Sequence, residues 1–135
     1  MSWIVDCSIA MAWCFEDEVT QRTEALLDRM ESDPVVVPLH WPLEVTNVLR
    51  SAVRKGRLSE AKAAEKVAAL MSLPIRYDLL THQVAFAGTW QLARKYKLTS
   101  YDAAYLELAL RLGAPLATDD EDLAEAARKA GAALL

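Results

Sequence analysis

The chain has 135 residues, of which 53% are hydrophobic and 25% charged, and its formal net charge at pH 7 is −4. This length suits a single domain, 1–135, with a buried core, and the composition excludes an intrinsically disordered chain. No apolar run approaches the roughly 20 residues of a membrane span, and no export signal opens the chain. We therefore expect a cytoplasmic protein outside the membrane, with Cys7 and Cys14 as reduced thiols.

Short apolar runs alternate along the chain with segments of helical periodicity. In chain order they predict a strand at 3–5, helices at 8–15 and 18–32, a strand at 34–38, helices at 42–56 and 59–73, a strand near 75–77, helices at 83–97 and 99–113, a strand at 115–118, a helix at 119–131 and a terminal strand at 132–135. Buried strands separated by helices predict an α/β fold with a central, mostly parallel β-sheet flanked by α-helices.

Acidic residues follow several of these strands or open the next helix. Asp6 directly follows the first strand, and Asp119 and Asp120 follow the strand at 115–118. Glu44 and Asp102 lie in the first turns of two predicted helices. Because ligands bind beyond the carboxyl ends of parallel strands, we expect these acids at one edge of the sheet.

Each acid has a purely structural explanation when taken singly. Carboxylates cap helices and stabilise their first turns by roughly 0.3–1 kcal/mol. Asp6 is harder to explain in this way, because a charge next to a buried strand needs a partner and no Lys or Arg lies near it in sequence. A divalent cation would supply that partner, and carboxylate oxygens favour hard ions such as Mg²⁺ or Mn²⁺.

Other kinds of site have weaker support in the sequence. His40 and His82 are the only histidines and form no spaced ligand pair, which argues against zinc. With four glycines, the chain contains neither of the glycine-rich phosphate-binding motifs. The spacing is compatible with a Ser-His-Asp triad, but no G-x-S-x-G elbow is present.

Two basic clusters allow two interpretations. Six basic residues lie between Arg50 and Lys66, and a second cluster spans Arg94–Lys97. They form solvated helix faces or, alternatively, a rim that contacts phosphates around an acidic centre. The four tryptophans likewise predict core or interface packing, with base stacking as the alternative.

Three segments together resemble a known family: IVDCSIAMAWCFEDE, PLEVTNVLRSAVRKGRLS and LTSYDAAYLELALRLGAPLATDDEDL. In this order they resemble a PIN domain of the VapC type, the ribonuclease toxin of VapBC toxin–antitoxin systems. The resemblance covers nearly the whole chain. It implies a parallel sheet whose edge carries carboxylates that bind Mg²⁺ or Mn²⁺.

The resemblance also implies roles for individual residues. Its catalytic, metal-binding acids match Asp6 in D-x-S, Glu44 in E-x-x-N, Asp102 in Y-D-A and Asp120 in T-x-D-x-x-L. Hydrogen-bonding residues around them match Ser8, Asn47 and Thr118. Asp119 is adjacent to Asp120 and is the alternative for its role, and Asp122 is a surface or water-mediated position.

The function implied is a metal-dependent endoribonuclease that hydrolyses RNA phosphodiester bonds as a toxin. Its implied partners are an RNA substrate, a VapB-type antitoxin with an arginine near Asp6 and Asp120, and a second copy in a homodimer. The alternative is a catalytically inactive PIN-like domain that binds RNA or a protein. A receiver domain is disfavoured, because Cys7 rather than a second acid follows Asp6.

Overall fold

The structure is a computed structural model that describes residues 1–135. Its strands are β1 (Trp3–Val5), β2 (Val35–Pro38), β3 (Ile75–Asp78) and β4 (Leu116–Ala117). Its helices are α1 (Cys7–Cys14), α2 (Gln21–Arg29), α3 (Trp41–Arg54), α4 (Glu60–Met71), α5 (Thr81–Val84), α6 (Trp90–Tyr96), α7 (Ser100–Leu112) and α8 (Glu121–Ala130). A π-helix, Ala85–Thr89, joins α5 to α6. None of these helices combines the length and the apolar character that a membrane span requires.

The four strands form one parallel sheet in the order β3-β2-β1-β4. Trp3 pairs with Val35 on one side of β1, and Ile4 pairs with Leu116 on the other. The predicted α/β fold with a parallel sheet is therefore confirmed. The predicted terminal strand is reduced to a single parallel bridge between Leu116 and Leu134.

Side-chain caps define where most of the helices begin. The capping residues are Asp6 for α1, Thr20 for α2, Ser59 for α4, Thr99 for α7 and Asp120 for α8. The expectation that α2 begins near residue 18 is wrong. Thr20 has an extended backbone and forms a reciprocal capping box with Thr23, so the helix begins at Gln21.

The helix predicted at 83–97 differs from the observed one in both its start and its hydrogen bonding. It begins at Thr81 and passes through the π-helix before α6. Gly88 lies in this π-helix, where a Cβ atom would stand 3.4 Å from Cγ of Glu107 on α7. A side chain at this position would make an ordinary van der Waals contact with Glu107, so the π-helix packs directly against α7 here.

A hydrophobic core fills the space between the sheet and its helices. β1 is fully buried, and Trp41 of α3 and Leu106 of α7 are buried on either side of the same core cluster. Packing is thus the role of Trp3 and Trp41, while Trp13 is half-buried and donates a hydrogen bond to the Thr23 carbonyl at 2.7 Å. Only Trp90 is largely exposed.

Candidate active site

The strand order creates a crevice where the polar residues collect. β1 lies between β2 and β4, so the chain leaves β1 toward one side of the sheet and later returns to the other. Ligands of open α/β sheets bind at this switch point, beyond the carboxyl ends of the strands. Asp6 follows β1 directly, and Thr118, Asp119 and Asp120 follow β4.

Asp6 is the most buried acid of this edge, with 3% of its surface exposed. Its Oδ1 accepts hydrogen bonds from the Ser8 hydroxyl at 2.6 Å and the Ile9 amide at 3.3 Å, and its Oδ2 accepts one from Thr118. Burial raises the pKa of Asp6 to about 6, although these hydrogen bonds oppose the shift. No Lys or Arg forms an ion pair with Asp6, so its charge is held by neutral donors alone.

Ser8 and Thr118 connect the two loops that meet at Asp6. Their hydroxyl oxygens lie 3.4 Å apart. Ser8 Oγ accepts a hydrogen bond from the Asp119 amide at 2.8 Å, and Thr118 Oγ1 accepts one from the Asp120 amide at 3.0 Å. The two hydroxyls predicted to orient carboxylates thus contact Asp6 and tie the loop after β4 to the start of α1.

Glu44 lies in the first turn of α3 and is held by two side chains that the sequence did not single out. Its Oε1 accepts a hydrogen bond from the Tyr105 hydroxyl at 2.8 Å and lies 2.9 Å from His40 Nε2. His40 precedes Glu44 by four residues, and Tyr105 follows Asp102 by three. Both residues therefore lie at helical spacing from a predicted acid, and this spacing could have identified them in the sequence as neighbours of the site.

Asp102 lies in the first turn of α7, and its carboxylate has no hydrogen-bond donor from the protein. Burial and, to a smaller extent, the negative charges of Asp120, Glu44 and Asp6 together raise the pKa of Asp102 to about 6. This mutual repulsion shows that the four predicted acids share one region. Their charges lie close enough together to make the edge strongly negative.

The adjacent acids Asp119 and Asp120 have different environments. Asp120 caps α8, where its Oδ1 accepts a hydrogen bond from the Leu123 amide at 2.9 Å. Asp119 is exposed and forms an ion pair with Arg22 at 2.6 Å. Asp122 is exposed in the first turn of α8. Of the two adjacent acids, Asp120 is therefore the one without a cationic partner.

Asn47 lies one turn after Glu44 and is exposed. It lines a groove of about 410 Å³ together with His40, Leu43, Glu44, Val48 and Tyr101. The structure shows Asn47 on the rim of the acidic edge rather than among the hydroxyls around Asp6. Its predicted hydrogen bonding to the carboxylates stays a prediction.

The donor set at this edge suits a hard divalent cation. Its ligands would be carboxylate oxygens, and Glu44 and Asp120 each use one oxygen in the hydrogen bonds described above, which leaves the second oxygen free of protein donors. In the conformation shown, no three His, Cys, Asp or Glu side chains converge closely enough to hold a metal ion. Carboxylates with raised pKa values and no cationic partner nevertheless fit the chemistry of Mg²⁺ or Mn²⁺.

Half of the six residues of the first basic cluster form ion pairs on the surface. Arg50 pairs with Glu60 at 3.2 Å, and Arg57 contacts both Asp17 and Glu18 at 2.8 Å. Exposed pairs of this kind contribute only about 0–1 kcal/mol, so they lower the local positive charge without building a fixed phosphate site. Both interpretations of the basic clusters remain compatible with these contacts.

Comparison with known proteins places this site in a family. The family model for the PIN domain matches residues 3–129. Ribonuclease VapC3 of Pyrobaculum aerophilum is 30% identical over 126 residues, which cover 93% of this chain and 94% of the relative. Ribonuclease VapC12 of Mycobacterium tuberculosis is 32% identical over 114 residues, with 78% of this chain and 79% of the relative covered.

A solved structure has the same fold. The crystal structure of VapBC2 from Rickettsia felis, bound to a DNA fragment from the promoter, matches with a TM-score of 0.71 at 11% identity, over 100% of this chain and 98% of that chain. The chain belongs to the PIN-domain family and, within it, to the VapC type.

Proposed function

We propose that the protein is a metal-dependent endoribonuclease that acts as the toxin of a type II toxin–antitoxin system. The observation that carries this proposal is the buried Asp6 beside Asp102 and Asp120, with no basic partner, at the switch point of a PIN-domain sheet. The VapC ribonucleases among its relatives support the choice of RNA as substrate. The proposed site of action is the cytoplasm.

The proposed roles follow from the contacts of each acid. Asp6, Asp102 and Asp120 would hold Mg²⁺ or Mn²⁺, and Glu44 would be a further ligand or the base that orients water. Such an ion supplies a more acidic bound water and neutralises charge that develops on phosphate oxygens. Ser8 and Thr118 hold the Asp6 carboxylate in place through the hydrogen bonds described above.

The direct test is cleavage of total cellular RNA by the purified, antitoxin-free protein with Mg²⁺, with Mn²⁺ and with EDTA. We expect discrete fragments that require metal, and a loss of at least about 100-fold in Asp6→Asn and Asp120→Asn, because removal of groups that merely orient metal ligands already costs 10–100-fold. Asp119→Asn is the matched control and should stay active, because Asp119 is paired with Arg22. A folded wild type that cuts no RNA with either metal would favour a binding-only PIN-like domain.

We further propose a VapB-type antitoxin as partner, with an arginine that approaches Asp6 and Asp120. The strong negative charge of this edge and the absence of a resident Lys or Arg support that contact. This chain shares the fold of VapBC2 from Rickettsia felis and of FitAcB from Neisseria gonorrhoeae. Inhibition that persists after the antitoxin's arginines are replaced would contradict the arginine contact.

A homodimer is the remaining proposed assembly. Phe86 in the π-helix is 96% exposed, and Trp90 lies four residues further on the same helical surface and is also exposed. Two large apolar side chains in this arrangement favour burial against a second copy. Phe86→Glu should shift the molecular mass measured by light scattering from dimer to monomer, whereas an unchanged mass would place the interface elsewhere.

A further inference from the structure

We propose that the groove beside the acidic edge binds one unpaired nucleobase of the RNA, with the ring of Tyr101 as its stacking surface. This inference rests on the endoribonuclease proposed above and assigns the part of that site that contacts a base rather than a phosphate. The groove lies between the first turns of α3 and α7, which carry Glu44 and Asp102. Its volume, about 410 Å³, is within the roughly 300–1,000 Å³ of small-molecule sites.

Tyr101 combines an exposed ring with a fixed backbone. Its side chain is 62% exposed, whereas Tyr105, one turn further along α7, is fully buried. The carbonyl oxygen of Tyr101 lies 3.2 Å from His40 Nε2, and the two rings stand 5.7 Å apart between centroids. Because Asp102 follows immediately, a base stacked on Tyr101 would lie next to the acids that act on its phosphate.

The other groove residues fit a base better than a phosphate. Leu43, which is 72% exposed, and Val48 are apolar, and no Lys or Arg is among the lining residues. A phosphate would therefore find no Lys or Arg in the groove and only His40, which already contacts Glu44, as a basic side chain, whereas the uncharged faces of a base would contact apolar side chains. The exposed Asn47 amide offers both a donor and an acceptor to the edge of a base.

Glu44 makes the groove continuous with the acidic edge. It lines the groove, and its charge also raises the pKa of Asp102. One end of the groove is thus acidic and the rest is apolar and aromatic. This division matches a nucleotide whose phosphate lies at the acids and whose base lies over Tyr101.

A second copy of the chain is the competing occupant of this apolar surface. The residues proposed for the dimer lie elsewhere, since the π-helix that carries Phe86 packs near Glu107 of α7. Glu107 is six residues, or about 9 Å of helix, beyond Tyr101. The groove can therefore remain open when Phe86 and Trp90 are covered.

The first test maps the ends of fragments that the protein produces from a random-sequence, single-stranded RNA pool in Mg²⁺ or Mn²⁺. We expect the wild type to enrich one base at one position near the cut. Tyr101→Ala should abolish this enrichment and lower kcat/KM about 10-fold or more, the typical effect of one lost stacked base. Tyr101→Phe, which keeps the ring, and Tyr77→Ala, an exposed tyrosine of β3 outside the groove, should behave as the wild type. Unchanged enrichment in Tyr101→Ala would overturn the inference.

The second test separates the groove from the catalytic proposal. Fluorescence anisotropy would measure the binding of labelled A, C and U decamers and of an abasic decamer to Asp6→Asn, with and without Tyr101→Ala. We expect Tyr101→Ala to weaken the binding of the preferred decamer and to leave that of the abasic decamer unchanged. This result would support the groove even if the wild type cut no RNA. If the wild type cuts RNA normally but Asp6→Asn binds the decamers equally well with and without Tyr101→Ala, the nuclease proposal stands and the base-binding groove is overturned. Dissociation of a dimer by Tyr101→Ala would also overturn the base-binding groove.

Discussion

The molecule has two acidic clusters, on different faces of α7, in which neighbouring carboxylates repel one another. The repulsion is compensated differently in the two clusters. At the acidic edge, Asp6, Glu44, Asp102 and Asp120 have no Lys or Arg partner, and the pKa values of Asp6 and Asp102 are raised to about 6. In the second cluster, Arg111 binds two carboxylates at once. It contacts Asp78 of β3 at 2.6 Å and Glu107 of α7 at 2.8 Å.

The difference lies in where the compensating charge comes from. Burial alone would raise the pKa of Asp78, but hydrogen bonds from Arg111 lower it below its ordinary value. The chain therefore supplies the second cluster with a cation of its own, Arg111, which joins β3 to α7. At the acidic edge the compensating charge would come from an external cation. Without that cation, repulsion between the carboxylates lowers the stability of the fold locally, which is typical of a binding site.

Of the changes that distinguish the two clusters, added metal should have the largest effect on the free energy of unfolding. If Mg²⁺ binds the folded protein only, a concentration of 100 times its Kd raises the free energy of unfolding by about 2.7 kcal/mol. We expect the Tm measured by calorimetry to rise in the wild type with Mg²⁺ or Mn²⁺ relative to EDTA, and much less in Asp6→Asn. An identical Tm at saturating metal would contradict an external cation at this edge.

Removal of the internal cation should come next in size. Arg111→Met leaves Asp78 and Glu107 without their shared partner, and both side chains are about one-tenth exposed. Loss of one partner from a buried pair costs about 3–5 kcal/mol, and since Arg111 is one-quarter exposed we expect about 2 kcal/mol in urea denaturation at pH 7. Arg111→Lys is the matched control and should recover part of the loss. An unchanged urea midpoint in Arg111→Met would mean that the cluster does not stabilise the fold.

The pH dependence of stability should have opposite signs in the two clusters. The pKa of Asp102 in the folded state lies above its unfolded value of about 3.8. Its contribution to the free energy of unfolding is therefore favourable below pH 4 and is lost as pH rises through about 6. Asp102→Asn should therefore stabilise the metal-free protein at pH 7.5, on the order of 1 kcal/mol after allowance for its partial exposure, and have little effect at pH 4. Asp78 has a lowered pKa, so its contribution is present above pH 4 and is lost on acidification.

Urea titrations in EDTA at both pH values would measure these changes. If Asp102→Asn instead destabilises the protein at pH 7.5, repulsion between the carboxylates of the acidic edge does not lower the stability of the fold. Arg111→Met, measured beside it, should keep its effect at pH 4 and lose it only on further acidification, as Asp78 becomes protonated. The two variants thus separate the two contributions in one experiment.

The smallest expected effect is at Asp119. Its ion pair with Arg22 joins two side chains that are each about two-fifths exposed, and such pairs contribute less than about 1 kcal/mol. Asp119→Asn should change the urea midpoint little and leave the Mg²⁺-induced rise in Tm intact. Loss of that rise would move the metal-site role from Asp120 to Asp119.

Much of the architecture could be predicted because it depends on local patterns. Apolar runs such as Trp3–Val5 bury their side chains wherever they pair, and caps such as Ser59 and Thr99 satisfy nearby amides. The position of the acids at one edge follows from parallel strands whose carboxyl ends coincide. The π-helix escaped prediction, since the apolar periodicity of 83–97 does not distinguish five π-helical residues from a regular α-helix.

The sequence by itself determined the α/β class and the order of most elements, because helical and strand periodicities are properties of neighbouring residues. It also placed Asp6, Glu44, Asp102 and the pair Asp119 and Asp120 at strand ends or helix starts, and the resemblance to the PIN domain singled out Asp120 from that pair. Only the tertiary structure decided which of these acids have partners. Arg22 reaches Asp119 across 97 residues, and Thr118 reaches Asp6 across 112. Likewise, His40 and Tyr105 became part of the site because α3 and α7 bring them to one carboxylate. Burial and long-range contact set charge and pKa, and neither is encoded in any short segment of the chain.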